Sequence, residues 1–303
     1  MTDLSVRIGT LHLANPVLTA SGTFGYGSEF ADFMDLNRLG GLVTKTVTLE
    51  ARPGNPPPRI CETPAGMLNS IGLPNVGIDR FIAEKWPFLS TLNTPIIVNV
   101  AGRSIADFVA AVTALEAVPG IAAYELNYSC PNVKEGGLAF SSDARVAAEV
   151  TRQIRAVTRR PLIAKLTPNV TSISEIGRAC EQAGADAVSA INTLVGMAID
   201  IRSRKPRLAS VTGGLSGPAI KPVALARVYE LVRTLSIPVI GIGGIISAAD
   251  ALEFIIAGAA AVQIGTASFM HPGAAIEVVE GLEIWCRQEG ITTLAELRGS
   301  LRL

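Results

Sequence analysis

Short apolar, β-branched runs recur eight times along the chain, and stretches whose apolar residues fall at helical spacing separate many of them. The runs are Pro16–Ala20, Gly41–Val47, Pro95–Val100, Ala123–Asn127, Pro161–Leu166, Ala187–Asn192, Pro238–Ile242 and Ala261–Gly265. Helical spacing is found over Ile105–Ala117, Asp143–Thr158, Ser172–Ala183, Pro222–Thr234 and Ala248–Ala257. A strand–helix–strand unit brings its two strands in parallel, because the helix carries the chain back to the starting end. Eight such units predict closure into a (β/α)8 TIM barrel. At 303 residues the chain fits one barrel domain spanning 1–303, since such barrels run to about 250 residues or more. An open doubly wound sheet is the competing architecture. It would place a dinucleotide-type Gly-rich turn after its first strand, and the sequence has none there.

Composition narrows the partners. Lys and Arg number 26 against 26 Asp and Glu, with no basic tract at either end. Nucleic-acid binding needs clustered cations that displace counterions, so that class is not expected. The opening residues Met1 to Arg7 lack the charged segment and apolar stretch of a signal peptide. The most apolar region, Pro238 to Met270, is interrupted by Asp250, Glu253, Gln263 and several glycines. It reads as a buried strand–helix–strand segment, because a spanning helix needs roughly 20 mostly apolar residues. The expectation is a soluble, cytoplasmic protein with no membrane partner. Four cysteines (Cys61, Cys130, Cys180, Cys286) form no CxxC pair, and the only histidines are His12 and His271. Neither a zinc site, an iron–sulfur cluster nor a His-rich catalytic metal centre fits, and reduced thiols are the default.

Function is written at the strand ends. They carry Ser21, Lys45, Asn99, Asn127, Lys165 and Asn192, then Gly243-Gly244 and Gly265-Thr266. Parallel barrel strands all point one way, so these groups meet on one face, where barrel active sites lie. A single Asn is more often a turn residue and a single Lys can snorkel. Polar groups on nearly every strand are another matter, since each needs a partner once buried. After the last two strands the glycines let backbone N–H groups approach an anion, and Ser247 opens a helix whose dipole favours one. These loops read as a phosphate cradle, with relief of crowding in tight turns as the bland alternative.

The most specific stretch is Glu125-Leu-Asn-Tyr-Ser-Cys-Pro-Asn-Val133. Pro131 stops the sheet and leaves Cys130 on a loop over the barrel mouth. A lone Cys is usually an inert buried hydrophobe, and that is the expectation for Cys61, Cys180 and Cys286. With this stretch go Thr19-Ala-Ser-Gly-Thr-Phe-Gly-Tyr-Gly, Lys45-Thr-Val-Thr, Arg52-Pro-Gly-Asn-Pro-Pro-Pro-Arg and Asn69-Ser-Ile-Gly-Leu-Pro-Asn. Further on come Ile191-Asn-Thr, Ser216-Gly-Pro-Ala-Ile-Lys-Pro and Gly241-Ile-Gly-Gly-Ile. On these residues the chain resembles the dihydroorotate dehydrogenases nearly end to end.

The resemblance implies FMN contacts from Ala20, Ser21, Lys45, Thr46, Asn99, Asn127, Lys165, Ile191 and Gly217, with the FMN phosphate on Gly243, Gly244, Gly265 and Thr266. It implies that dihydroorotate is held by Lys45, Asn69, Ser70, Ile71, Gly72, Leu73, Asn127, Asn192 and Thr193, and that Cys130 is the catalytic base. Gly22-Thr-Phe-Gly-Tyr-Gly, Gly54-Asn-Pro-Pro-Pro-Arg and Gly66-Met-Leu-Asn-Ser-Ile-Gly-Leu are similar to the NAD-linked form, class 1B. That form implies a homodimer of this chain joined in a heterotetramer to an electron-transfer subunit carrying FAD and a [2Fe–2S] cluster.

Other readings stay open at this point. They are a fumarate-using class 1A enzyme, a dihydropyrimidine dehydrogenase-like flavoenzyme, a flavin-free lyase using Lys165 or Lys45 as a Schiff-base amine, and a non-catalytic phosphate-binding barrel. Arg52–Arg59 is Pro-rich and reads as a stiff substrate-site loop rather than a linker. Leu194–Ser216 is an insertion with Arg202, Arg204, Lys205 and Arg207 clustered. It is either a solvated basic loop, a cover over the site or a subunit contact.

Overall fold

All eight apolar runs form strands in the computed structural model, which describes residues 2–128 and 142–303. In chain order the strands begin with β1 (Val6–Ile8), β2 (Leu11–Leu13), β3 (Val17–Thr19), β4 (Leu42–Val43), β5 (Ile60–Thr63) and β6 (Gly66–Asn69). They continue with β7 (Ile96–Val100), β8 (Ile121–Asn127), β9 (Leu162–Leu166), β10 (Ala187–Ala190) and β11 (Leu194–Met197). The last are β12 (Ile199–Asp200), β13 (Lys205–Pro206), β14 (Thr212–Ser216), β15 (Val239–Ile242) and β16 (Ala261–Ile264).

One parallel sheet runs in the order β3-β16-β15-β10-β9-β8-β7-β4. Its ends meet: Gly40 N–H donates to Val17 O at 2.9 Å and Thr19 N–H to Gly41 O at 3.3 Å. The Thr19 hydroxyl completes the seam, donating to Val43 O (3.2 Å) and accepting from Val43 N–H (2.9 Å). The sheet is therefore a closed (β/α)8 TIM barrel. Strands β7, β9, β15 and β16 are buried along their whole length. One face fills the barrel and the other packs under helices, which is why these strands read as unbroken apolar runs. Pro238 to Met270 holds β15, the helix Ala248–Ile256, β16 and the short helix Ala267–Met270.

The outer helices are Ile105–Glu116, Ala144–Val157, Ile173–Gln182, Lys221–Val232, Ala248–Ile256 and Ala274–Gln288. Ser104, Asp143, Ser172 and Ser247 cap four of them by accepting a first-turn N–H. Each such cap is worth about 1 kcal/mol. The alternation fails between β3 and β4, where only the single 3-10 turns Ser28–Phe30 and Leu36–Arg38 form. Gly22, Gly25 and Gly27 make that segment a poor helix former. The β1–β2 hairpin turns at Gly9 against Asp186, just before β10, so it lies at the N-terminal end of the barrel. Among the described residues no helix is long and apolar enough to cross a membrane.

Leu194–Ser216 is neither a loop nor a simple insertion. It supplies β11 and β14 to a four-stranded antiparallel sheet ordered β11-β14-β6-β5, and so ties the excursion after β10 to the one after β4. Its basic cluster sits on the small β12–β13 hairpin, where Arg202, Arg204, Lys205 and Arg207 are all exposed. Arg52–Arg59 runs as a strap along β6 and its continuation. Arg52 and Asn75 exchange main-chain bonds at 3.0 Å, Asn55 N–H donates to Ile71 O (3.0 Å) and Ser70 N–H to Arg59 O (2.7 Å).

Candidate active site

At the core of the barrel a carboxylate gathers groups from four other strands. Glu125 on β8 has no solvent exposure. Its Oε1 accepts from Asn99 Nδ2 (2.7 Å, β7) and from Lys165 Nζ (3.4 Å, β9). Its Oε2 accepts from Ser189 Oγ (2.9 Å, β10) and Gln263 Nε2 (2.6 Å, β16). Lys165 also donates to Ser21 Oγ at 3.2 Å, which adds the end of β3. Both carboxylate oxygens accept here, so the amides of Asn99 and Gln263 turn their NH2 groups toward them. Their oxygens consequently face away, and both are buried without a partner among the described residues. Unsatisfied buried acceptors are costly. Together with the third N–H of Lys165 they offer the mixed donors and acceptors that a flavin ring presents in complement.

One layer above, Asn127 links the strand ends. It donates to Thr46 Oγ1 and accepts from Asn192 Nδ2, each at 3.4 Å, and Asn192 Oδ1 accepts from Thr193 N–H at 2.8 Å. Thr193 in turn touches β14: a Cβ built on Gly214 would lie 2.0 Å from Thr193 Oγ1 and 2.6 Å from its Cβ. Only glycine permits that approach. Gly214 pairs with Asn69 on β6, and Asn69 Nδ2 donates to Gly214 O at 3.2 Å. The stretch beyond, Ser70 to Leu73, is held by the strap through Asn55, whose Nδ2 donates to Ser70 Oγ at 2.8 Å. Thr46, Asn127, Asn192, Thr193 and Asn69 thus form one connected rim. Lys45 is half-buried beside Thr46, its N–H bonded to Gly25 O at 2.7 Å.

The expected phosphate loops close a second arc. Gly265 lies beside Ala20, and Thr266 Oγ1 donates to Ser216 Oγ at 2.8 Å, next to Gly217. A Cβ on Gly265 would meet nothing closer than Ala20 Cβ at 3.5 Å. Protein packing does not demand a glycine there, so the space suits a cradle for a bound group. Gly244 differs: at φ +72° it packs its Cα face onto the Lys221 backbone, so relief of crowding is part of its role. Gly243 adjoins Ile191. Asp250 clamps this loop, accepting from Ile246 N–H (3.0 Å), Ser247 N–H (2.9 Å) and Lys221 Nζ (2.6 Å).

Cys130 lies outside the described residues. Of the described thiols, Cys180 is pushed up to about 11 by burial, and burial also raises Cys286, with Glu296 adding to it. Neither supplies thiolate at neutral pH. Tyr128, the last described residue before the Cys130 segment, is buried with its hydroxyl 2.6 Å from Thr151 Oγ1. Burial, with Cys180 nearby, holds its phenol far above the usual range, so it acts as a neutral anchor for the end of β8. No group of three or more metal-ligating side chains occurs among the described residues.

Sequence reasoning missed Glu125, Ser189, Gln263, Gly214 and the Lys221–Asp250 clamp. The signal for the first three was present: polar residues inside otherwise apolar runs such as Ile121-Ala-Ala-Tyr-Glu-Leu and Ala261-Val-Gln-Ile.

Residues 3–285 match the family model described as dihydroorotate dehydrogenase. The chain is 58% identical over 298 residues to a Trichlorobacter lovleyi protein named dihydroorotate dehydrogenase B (NAD(+)), catalytic subunit, covering 98% of both chains. Proteins of the same name from Pelobacter propionicus and Geotalea uraniireducens are 56% and 55% identical over 299 residues, covering 99% of this chain and 98% of theirs.

Proposed function

The chain belongs to the dihydroorotate dehydrogenase family, and from that premise we propose that it is the catalytic subunit of an NAD-linked, class 1B enzyme. In this reading it oxidises (S)-dihydroorotate to orotate in pyrimidine (UMP) biosynthesis, as one cytoplasmic FMN-binding barrel domain. The observation that carries the reading is the meeting of two residue sets at one end of the barrel, the buried Glu125 layer and the Thr46–Asn127–Asn192–Asn69 rim.

FMN would be held by Ala20, Ser21, Lys45, Thr46, Asn99, Asn127, Lys165, Ile191 and Gly217, with its phosphate on Gly243, Gly244, Gly265 and Thr266. When bound, it supplies the acceptor for the substrate's hydride. Lys165 places a cation where reduction adds negative charge. Dihydroorotate would be bound by Lys45, Asn69 to Leu73, Asn127, Asn192 and Thr193. The Lys45 ammonium suits its carboxylate, and the amides suit a pyrimidine edge because each offers donor and acceptor. Cys130 takes the proton from the carbon next to the ring carbonyl. A free thiol of pKa about 8.5 needs only a modest lowering by a cation such as Lys45 to serve at neutral pH.

Electrons would leave through a partner subunit carrying FAD and a [2Fe–2S] cluster, in a heterotetramer built on a homodimer of this chain. Cys130→Ala should retain FMN yet slow its reduction by dihydroorotate at least about a hundredfold in stopped-flow; near-normal reduction removes Cys130 from the mechanism. NAD reduction should require the iron–sulfur partner, and turnover with fumarate by this chain alone would overturn the branch.

A further inference from the structure

We propose that Glu125 is a positioning residue that sets the placement and effective charge of Lys165, and through it the reduction potential of bound FMN. The inference rests on the FMN reading above.

Glu125 lies two residues before Asn127 on β8, so both point into the barrel and Glu125 sits one layer deeper. Its two oxygens take four hydrogen bonds, three of them from the neutral groups of Asn99, Ser189 and Gln263 at 2.6–2.9 Å. The one cation stands farther off: Lys165 Nζ is 3.4 Å from Oε1 and 3.2 Å from Ser21 Oγ. A tight charge-assisted contact would measure about 2.7–2.9 Å. The carboxylate therefore offsets the charge of Lys165 without drawing it down, and leaves one ammonium N–H to point elsewhere. Stability alone does not call for this arrangement, since buried ion pairs replaced by apolar groups of like volume are often neutral or stabilising. Glu125 brings the buried layer near zero net charge. Removing its charge leaves a bare cation beside the flavin, which favours the reduced form.

The test is the midpoint potential of FMN in the purified holoenzyme, measured against a reference dye, alongside thermal stability. Glu125→Gln should favour reduced over oxidised FMN at least tenfold, a potential about 30 mV more positive for the two-electron couple. Glu125→Asp withdraws the carboxylate from Lys165 by one methylene and should shift the potential the same way by less. It decides the matter if Glu125→Gln does not fold. Ser189→Ala removes a donor to the same carboxylate but no charge, so it should lower thermal stability and leave the potential in place. Unchanged potentials in both Glu125 variants, or a Ser189→Ala shift as large as that of Glu125→Gln, overturn the inference alone. A wild-type chain that holds no FMN and cannot be reconstituted with it overturns the functional reading and this inference together.

Discussion

Glu125 gathers Asn99, Lys165, Ser189 and Gln263 through side-chain hydrogen bonds from four other strands of the barrel. Asn69, by contrast, reaches Thr193 through main-chain pairing of β6 with β14 and the close approach that Gly214 allows. The first region is buried and holds a charged pair; the second is half-exposed and relies on backbone register. On the proposed reading, the two ligands would be placed by separable means. Charge and amide orientation would fix the cofactor, and strand pairing outside the barrel would fix the substrate.

The strongest way to break that division is Lys165→Met. It leaves Glu125 buried without its cation, which should cost about 3–5 kcal/mol, read by urea denaturation of the apoprotein. A loss below about 1 kcal/mol would mean the buried layer is not ionic in the sense argued. Gly214→Ala probes the other region. Its methyl must push Thr193 away, and we expect KM for dihydroorotate to rise about tenfold, or about 1.4 kcal/mol, with FMN content and potential unchanged. Loss of FMN with normal KM would show that the two regions are not independent.

The smallest effect concerns the Asp250 clamp on the loop after β15. Burial pushes the Asp250 carboxyl up, but Lys221, the Ile246 N–H and Ser247 outweigh it and hold the group below the usual range. A depressed carboxyl contributes stability that is full above its unfolded pKa of about 3.9 and is lost as pH falls through the folded value. The gap in thermal midpoint between wild type and Asp250→Asn should therefore be widest near neutrality and close in acid. A gap constant down to pH 3 would contradict the assignment.

The eight barrel strands were legible because burial on both faces leaves little choice but apolar residues, as in Ile96–Val100 or Leu162–Leu166. The antiparallel sheet was not, because apolar residues lie on both of its faces. In β11 the apolar Val195 and Met197 are exposed while Gly196 faces inward against Leu68. A rule that sends apolar residues to the core reads such a strand as loop, and the neighbouring arginines strengthen that impression. The rim residues and the glycines after β15 and β16 stood out because they end strands. Glu125 did not, because its worth lies in partners 26 to 138 positions away, which no local pattern reveals.

The seam at Thr19 carries one more consequence. Two main-chain bonds and two through a single hydroxyl join β3 to β4, the places where the parallel sheet begins and ends. Valine, equal in shape but unable to donate or accept, would remove two of the four hydrogen bonds that join the first barrel strand to the last. A ribbon has bare edges that can recruit strands from other molecules. The Thr19 oxygen thus helps to keep those edges paired as well as shaping the barrel.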